Sequence, residues 1–233
     1  LYPLTLNQPK PLLRVGGKPI LSHIAEKIVC IEQIDEIYVV TNDRFFSHFQ
    51  DWKKSYSHPV PCEIFNDGTT DNENRLGAIG DIRFVLEKTA VHDDFLILAG
   101  DNIFEFNLRD FVRFFQVKGS SVACFDLGSL EKASQYGVLT LGDGDRILEF
   151  LEKPLHSPSS LISTGVYAYT SGDLGLLDRY LAEKGSPDAP GYFLSWLIKE
   201  KNVYGFLISG EWYDIGDLES YKEADLRFQS KIN

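Results

Sequence analysis

Four short segments of the sequence place lysine or carboxylate side chains beside prolines and glycines. They are Pro9-Lys10-Pro11, Gly100-Asp101, Glu152-Lys153-Pro154 and Trp212-Tyr213-Asp214. Flanking prolines restrict the backbone, so Lys10 is expected in a rigid loop suited to holding a phosphate. Two aspartates completed by phosphate oxygens and water form a ligand set that Mg²⁺ accepts. Together the four segments predict phosphate-transfer chemistry, in which the protein positions the reactants and neutralises charge.

Each of these segments, taken alone, also has a purely structural explanation. Lys10 could be a surface lysine in a proline-rich loop, and Asp101 could cap its own turn. Glu152 and Lys153 could form an exposed ion pair at the end of a strand. The functional interpretation therefore depends on their combination, since one metal site, two lysines and a carboxylate for hydroxyl groups are needed together.

The elements that would position these residues alternate between strands and helices. In the first half, the apolar patterns predict strands at 36–41, 61–66, 94–99 and 121–127, with helices from Lys18 and at 43–55, 77–88 and 108–117. This order predicts an α/β fold with a mostly parallel sheet covered on both faces. Ligands of such sheets lie outside the carboxyl ends of the strands, where Asp101 follows the strand at 94–99.

The second half of the sequence changes character. A hairpin is predicted at 136–152, with its turn in Gly-Asp-Gly-Asp at 142–145, followed by a strand at 160–170. The remaining predictions are helices at 174–183, 192–199 and 217–228, and strands at 202–209 and 211–215. We expect this half to be added to the same sheet, which makes the sheet mixed.

The composition excludes several classes of function. The 233 residues carry a net charge of −11 and a pI near 4.9, which makes the chain a poor binder of nucleic acid or of an anionic membrane. No apolar run approaches the ~18 residues of a membrane span. The three cysteines form no C-x-x-C pair, which fits a cytoplasmic location.

The motifs resemble those of the sugar-phosphate nucleotidylyltransferases, also called nucleoside-diphosphate-sugar pyrophosphorylases. Residues 2–21 (YPLTLNQPKPLLRVGGKPIL) resemble the second half of the family signature, and the later motifs follow in order. These are Gly100-Asp101, Tyr136-Gly137-Val138, Glu152-Lys153-Pro154, Thr164-Gly165-Val166-Tyr167 and Trp212-Tyr213-Asp214-Ile215-Gly216. The resemblance implies a single Rossmann-like three-layer domain with a mixed, mostly parallel central sheet. It also implies an enzyme that converts an NTP and a sugar 1-phosphate into an NDP-sugar and pyrophosphate.

The resemblance assigns a role to each motif residue. It implies that Lys10 contacts the triphosphate, that Asp101 and Asp214 bind Mg²⁺, and that Lys153 holds the sugar phosphate. Glu152 would hold the sugar hydroxyls. The sugar pocket would be completed by Tyr136, Gly137, Gly165 and Tyr167. The catalytic set is accordingly Lys10, Asp101 and Lys153.

Two departures from the family pattern affect these expectations. The family's Gly-x-Gly-Thr-Arg loop and the strand before it are absent from 1–233, and we expect both to precede Leu1 in this nucleotidylyltransferase domain. The second departure is the segment at 66–81, which contains a longer polar loop than the base-reading segment of the family; in it Asn66 is the candidate base reader and Gly77 the counterpart of the family's glycine. The identity of the base, the acceptor phosphate and the presence of a homo-oligomer are left open.

Two other functions remain as alternatives. One is a non-catalytic regulatory homologue that binds sugar nucleotides. The other is a metal-dependent glycosyltransferase of the GT-A-like type, although its usual Asp-x-Asp is replaced here by Asp101-Asn102-Ile103.

Overall fold

The computed structural model describes residues 1–71 and 73–230. Their strands are β1 Arg14–Val15, β2 Lys18–Pro19, β3 Ile37–Thr41, β4 Cys62–Asn66, β5 Phe95–Leu98, β6 Asn102–Phe104, β7 Ser121–Asp126, β8 Gly137–Leu141, β9 Ile147–Glu152, β10 Leu161–Tyr169, β11 Tyr204–Leu207 and β12 Trp212–Asp214. Their α-helices are α1 Ile20–Ile28, α2 Phe46–Lys54, α3 Ala78–Thr89, α4 Leu108–Lys118, α5 Leu130–Ala133, α6 Ser171–Leu174, α7 Leu177–Ala182, α8 Pro190–Glu200 and α9 Leu218–Gln229. Short 3-10 turns lie at 10–12, 43–45 and 143–145.

The chain forms two compact units. Unit 1 contains Leu1–Arg75, Ala99–Arg109 and Gly210–Asn233, and unit 2 contains Leu76–Leu98 and Asp110–Ser209. Each unit has its own apolar core, so each is described by itself.

Unit 1 is built from three small strand pairs and the helices that pack on them. β3 pairs in parallel with β4, whereas β1 with β2 and β6 with β12 are antiparallel. α1 presents Ile20, Ile24 and Ile28 at helical spacing, and all three are buried. Asp217 caps the N-terminus of α9, and its carboxylate accepts from the backbone N–H groups of Glu219 and Ser220.

Unit 2 contains a six-stranded mixed sheet in the order β11-β7-β10-β8-β9, with β5 also paired to β10. Only β7 and β11 pair in parallel among the described strands of this sheet. β10 is buried at seven of its nine positions. The core around it includes Tyr169, Phe193, Leu194 and Leu197, each fully buried.

The mixed α/β class predicted from the sequence is confirmed, but the expectation of mostly parallel pairing in this sheet is wrong. β5 and β7 run in the same direction, as the alternating α/β pattern of the first half predicted. They are not neighbours, because β10 lies antiparallel between them. Local patterns predicted the directions of β5 and β7, but the insertion of a distant strand depends on packing that those patterns do not encode.

Most predicted elements are observed within one or two residues of their expected ends. The helix predicted at 174–183 is wrong at its start, because the structure divides this region into α6 and α7. α6 is capped by Thr170 and ends at Gly175, which separates the two helices. β6 was not predicted, since three residues carry too short a pattern. Within the described residues, no helix has the length and hydrophobicity needed to cross a bilayer.

Candidate active site

A lysine–aspartate ion pair joins two of the predicted site residues in unit 1. Lys10 Nζ donates to Asp101 Oδ2 at 2.8 Å, although 91 positions separate the two residues in the chain. Lys10 is the first residue of the 3-10 turn at 10–12. Pro9 is the N-cap of this turn, and Pro11 is its second residue. A Cβ on Gly100 would lie 3.1 Å from Pro11 Cγ, so the missing side chain permits this close packing. The proline-rich turn and the Gly-Asp segment therefore hold both charges in one place.

Asp214 lies on the strand that pairs with the residues after Asp101. In the β6–β12 ladder Asp214 is opposite Asn102, and Ile215 N donates to the Asp101 carbonyl oxygen at 3.1 Å. The backbone of Asp101, directly before β6, thus lies beside the end of β12, which carries Asp214. The structure places Lys10, Asp101 and Asp214 on adjoining segments of unit 1, and their shared role in binding Mg²⁺ remains a prediction.

The two aspartates have the donor chemistry that Mg²⁺ requires. Carboxylates on adjacent strands can each supply an oxygen, and Mg²⁺ usually takes one or two carboxylates together with phosphate oxygens and water. In the described part of the chain, no cluster of three or more His, Cys, Asp or Glu side chains could form an all-protein metal cage. The ammonium group of Lys10 already forms an ion pair with Asp101, so a metal ion would have to compete with it for this carboxylate. The residues fit Mg²⁺ bound with a polyphosphate rather than a permanently caged metal.

Asn66 lies at the end of β4, in unit 1, on a different strand pair from the two aspartates. Its Nδ2 donates to Asp43 Oδ1 at 2.7 Å, and its Oδ1 accepts from Gly68 N at 2.8 Å. Thr69 O also accepts from Asp43 N at 2.8 Å. These contacts attach the polar loop after β4 to the loop after β3. The part of Asn66 in base recognition remains a prediction.

Gly77 has a structural role at the start of α3 in unit 2. Its φ of +78° favours glycine, and a Cβ there would lie 2.7 Å from Asp188 Cα. The first N–H groups of α3 are already occupied, since Ala78 N donates to Asp188 O at 2.8 Å and Ile79 N to Pro187 O at 2.9 Å. This backbone capping explains the glycine without a ligand, and a contact of Gly77 with substrate remains a prediction.

The Tyr-Gly and Glu-Lys motifs lie together at one end of the β8–β9 hairpin in unit 2. Gly137 is opposite Glu152 in the ladder, and Lys153 N donates to Tyr136 O at 3.0 Å. Lys153 has a φ of 45° and an exposed side chain. This left-handed residue ends β9 immediately before Pro154, so the strand end presents a half-buried carboxylate and an exposed ammonium side by side.

Burial raises the pKa of Glu152 above its ordinary value of 4.5, with Asp188 adding to the rise and Lys153 opposing it. The native state therefore holds the Glu152 proton more tightly than the unfolded chain does. Below pH 4.5 this carboxyl is neutral in both states and carries no penalty. As the pH rises through the raised pKa, ionisation in the folded protein reduces the free energy of unfolding. The ionised Glu152 carboxylate thus lowers the free energy of unfolding.

Tyr167 and Gly165 lie on β10, close to the hairpin in the same unit. Gly165 has a φ of 75° at the irregularity between Ser163 and Tyr167, where the register of β10 against β7 shifts. The Tyr167 side chain is buried, its hydroxyl accepts from Ser163 Oγ at 3.0 Å, and burial raises its pKa to about 12. Its ring is stacked on Tyr169. Tyr167 is therefore a core residue, and its contribution to a sugar pocket remains a prediction.

Sequence reasoning missed one residue at this part of unit 2, Gly191 in the first turn of α8. A Cβ on Gly191 would overlap Glu152 Oε2 and would lie 2.6 Å from Phe150 Cε1. The signal available in the sequence was a glycine directly after Pro190, immediately before the helix predicted at 192–199. That pattern alone does not show which strand the helix approaches.

Comparison with known proteins identifies the fold and the family of this chain. The fold is shared with a solved structure of apo-UDP-glucose pyrophosphorylase, with a TM-score of 0.81 and 19% identity over 100% of this chain and 94% of that one. The family described as Nucleotidyl transferase matches residues 1–231. The chain belongs to this family.

Two archaeal relatives show the range of named functions. The bifunctional protein GlmU of Methanocaldococcus jannaschii is 30% identical over 237 residues, covering 100% of this chain and 52% of that protein. The UTP–glucose-1-phosphate uridylyltransferase AglF of Haloferax volcanii is 28% identical over 236 residues, covering 99% of this chain and 92% of that protein. The chain thus spans about half the length of its GlmU relatives.

Proposed function

We propose that the protein transfers a nucleotidyl group from an NTP to a sugar 1-phosphate, giving an NDP-sugar and pyrophosphate. The observation that carries the proposal is the Lys10–Asp101 ion pair, with Asp214 on the paired strand, in a chain of the nucleotidyl transferase family. A cation and two carboxylates on short, braced segments suit a reaction that mainly requires positioning and charge neutralisation.

The reaction is a single in-line displacement. An oxygen of the sugar phosphate attacks the α-phosphorus of the NTP, and the bond from that phosphorus to the oxygen bridging to the β-phosphorus breaks. The bonding electrons leave with pyrophosphate, so no covalent intermediate with the protein is required. In unit 1, Lys10 offsets the charge that gathers on the triphosphate, because its ammonium is held by a rigid turn.

Mg²⁺ would be held by Asp101 and Asp214, and when bound it would offset the negative charge of the phosphates. In unit 2, Lys153 would bind the sugar phosphate and Glu152 the sugar hydroxyls. The remaining substrate contacts are assigned to Asn66 and Gly77 on the base side and to Tyr136, Gly137, Gly165 and Tyr167 on the sugar side.

Uridylyl or thymidylyl transfer to a glucose-type phosphate is the first substrate pair to test. It is supported by the likeness to AglF, which is named for UTP and glucose 1-phosphate. Guanylyl and cytidylyl transfer, and an acceptor other than a hexose phosphate, are separate arms of the same screen.

The experiment is pyrophosphate release by the full-length protein, compared with Asp101→Ala, Asp214→Ala and a control, Asp110→Ala. Asp110 is an exposed helix residue paired with Arg113, so its loss leaves the site untouched. We expect each site variant to lose at least ~100-fold in turnover with its fold retained. Turnover close to wild type in both site variants would contradict the metal assignment.

We also propose a cytoplasmic location. Cys30, Cys62 and Cys124 are all free thiols, which fits a reducing compartment. Cell fractionation tests this, and recovery of the protein outside the cytoplasm would contradict it.

A further inference from the structure

A glycine at the start of α8 lies against the carboxylate that the proposed function assigns to the sugar hydroxyls. Gly191 is the second residue of α8, which begins at Pro190 with no side-chain cap at Ala189. A Cβ at Gly191 would overlap Glu152 Oε2, and it would lie 2.6 Å from Phe150 Cε1 and 2.8 Å from Phe150 Cζ. Real Cβ atoms do not approach other atoms so closely, so any side chain here would force Glu152 or Phe150 to move.

The backbone conformation does not explain this glycine. Gly77 and Gly165 have positive φ values, which favour glycine, whereas Gly191 is not among the positive-φ residues. Glycine also favours helix formation less than alanine does. Gly191 therefore weakens the start of α8, but the missing side chain leaves space for the Glu152 carboxylate.

A second glycine borders the same two side chains from the other side. A Cβ on Gly137, at the start of β8, would overlap the Phe150 ring and would lie 3.3 Å from Glu152 Oε2. Phe150 and Glu152 are two positions apart on β9, so they share one face of the strand. Phe150 is 2% exposed, so its ring is fixed in the core. Gly137 and Gly191 therefore form a slot that contains a fixed ring and, beside it, a movable carboxylate.

We propose that Gly191 is a positioning residue for the acceptor side of the reaction, leaving open the space that the Glu152 carboxylate occupies in its present orientation. This inference rests on the proposed function for the role of Glu152, but not for the geometry. Glu152 Oε2 is the end of a flexible side chain, so rotation of this carboxylate relieves the closest contact of an added methyl group. The contact with the fixed Phe150 ring would be relieved by a small shift of the start of α8. Gly191→Ala should therefore turn Glu152 out of the slot.

The test is steady-state kinetics of Gly191→Ala, Glu152→Ala and the double variant, with Gly172→Ala as the control. Gly172 also lies in a helix, but a Cβ there meets nothing within 4 Å. We expect Gly191→Ala to raise the KM for the sugar phosphate by ~10-fold or more and to change the KM for the NTP by less than ~3-fold, whereas Gly172→Ala changes neither. In the Glu152→Ala background, Gly191→Ala should have no further effect on the acceptor KM, because the group it acts through is gone.

Two results would overturn the proposal. One is an equal rise in both KM values, which would indicate general disruption of unit 2. The other is a full effect of Gly191→Ala on the acceptor KM when Glu152 is already removed. If Gly191→Ala does not fold, Gly191→Ala with Phe150→Leu removes the ring atoms that the methyl group meets, and the same two criteria apply to that pair.

Crystal structures of wild type and Gly191→Ala separate this proposal from the proposed function. If wild type releases no pyrophosphate, the proposed function fails, yet the structures still report the Glu152 orientation. A displaced Glu152 carboxylate in Gly191→Ala supports the positioning role. An unmoved carboxylate contradicts it, whatever the activity.

Discussion

Replacing Lys10 by methionine should strengthen divalent-cation binding to the protein in the absence of NTP. Lys10 donates to Asp101 at 2.8 Å, so a metal ion that binds Asp101 must displace this ammonium group and then remain close to its charge. Methionine keeps much of the side-chain volume but removes the charge. The variant leaves the Asp101 carboxylate without this competing cation.

The size of the effect follows from the exposure of the pair. A hydrogen bond between charged groups contributes about 1.5–3 kcal/mol, and a fully exposed ion pair about 0–1 kcal/mol. The Lys10 and Asp101 side chains are 27% and 37% exposed, so the pair lies between these limits, at about 1–2 kcal/mol. At ~1.4 kcal/mol per tenfold change, the Kd for the metal should fall by about 5- to 30-fold.

The assay is titration of the NTP-free protein with Mn²⁺, followed by electron paramagnetic resonance of the free ion. Lys18→Met is the control, because Lys18 forms its ion pair with Glu26 and lies in the same unit. Its Kd should match wild type within ~2-fold. The NTP itself should bind more weakly to Lys10→Met, because the triphosphate loses a cation. An unchanged or higher Mn²⁺ Kd in Lys10→Met would refute the reasoning.

Three further predictions concern single residues, each of which lies within unit 1 or within unit 2. Glu152→Gln should raise the melting temperature at pH 7, because it removes the charge of a carboxyl whose ionisation in the folded protein is disfavoured by burial. The gain should vanish below pH 4.5, where the wild-type carboxyl is also neutral, and a gain independent of pH would contradict the assignment. Gly77→Ala should reduce the free energy of unfolding by at least ~1 kcal/mol more than Gly68→Ala in denaturant titrations, since both have positive φ but only Gly77 is packed against backbone. Equal losses would mean that the packing is unimportant. In the native protein, a thiol reagent should modify exposed Cys30 but not Cys124, which is buried and has a pKa raised to about 12, and mass spectrometry of the labelled peptides checks this.

The sequence predicted the local elements well because their signals are local. The apolar spacing in α1 and the Asp-Gly turn of the β8–β9 hairpin each involve residues that are near neighbours in the chain. These patterns identified the helices and strands with errors of one or two residues at most ends. They did not predict that β10 lies between β5 and β7, since that arrangement is decided by packing between distant segments.

The candidate site shows the same division. The motifs predicted Lys10, Asp101 and Asp214 as site residues; the structure joins Lys10 to Asp101 and places Asp214 on the strand that pairs with β6 in unit 1. The direct ion pair between Lys10 and Asp101 was not predicted, because no pattern links residues 91 positions apart. Gly191 was missed for a similar reason, since only the fold shows that α8 begins against Glu152.

Analysis of the products formed from an NTP and a sugar 1-phosphate by the purified full-length protein tests the central claim most directly. We expect stoichiometric pyrophosphate and NDP-sugar for at least one substrate pair, dependent on a divalent cation and lost in Asp101→Ala. Binding of the sugar nucleotide without turnover for any pair would instead support a regulatory homologue. Release of a nucleoside diphosphate from an NDP-sugar would support a glycosyltransferase, and either result would contradict the account.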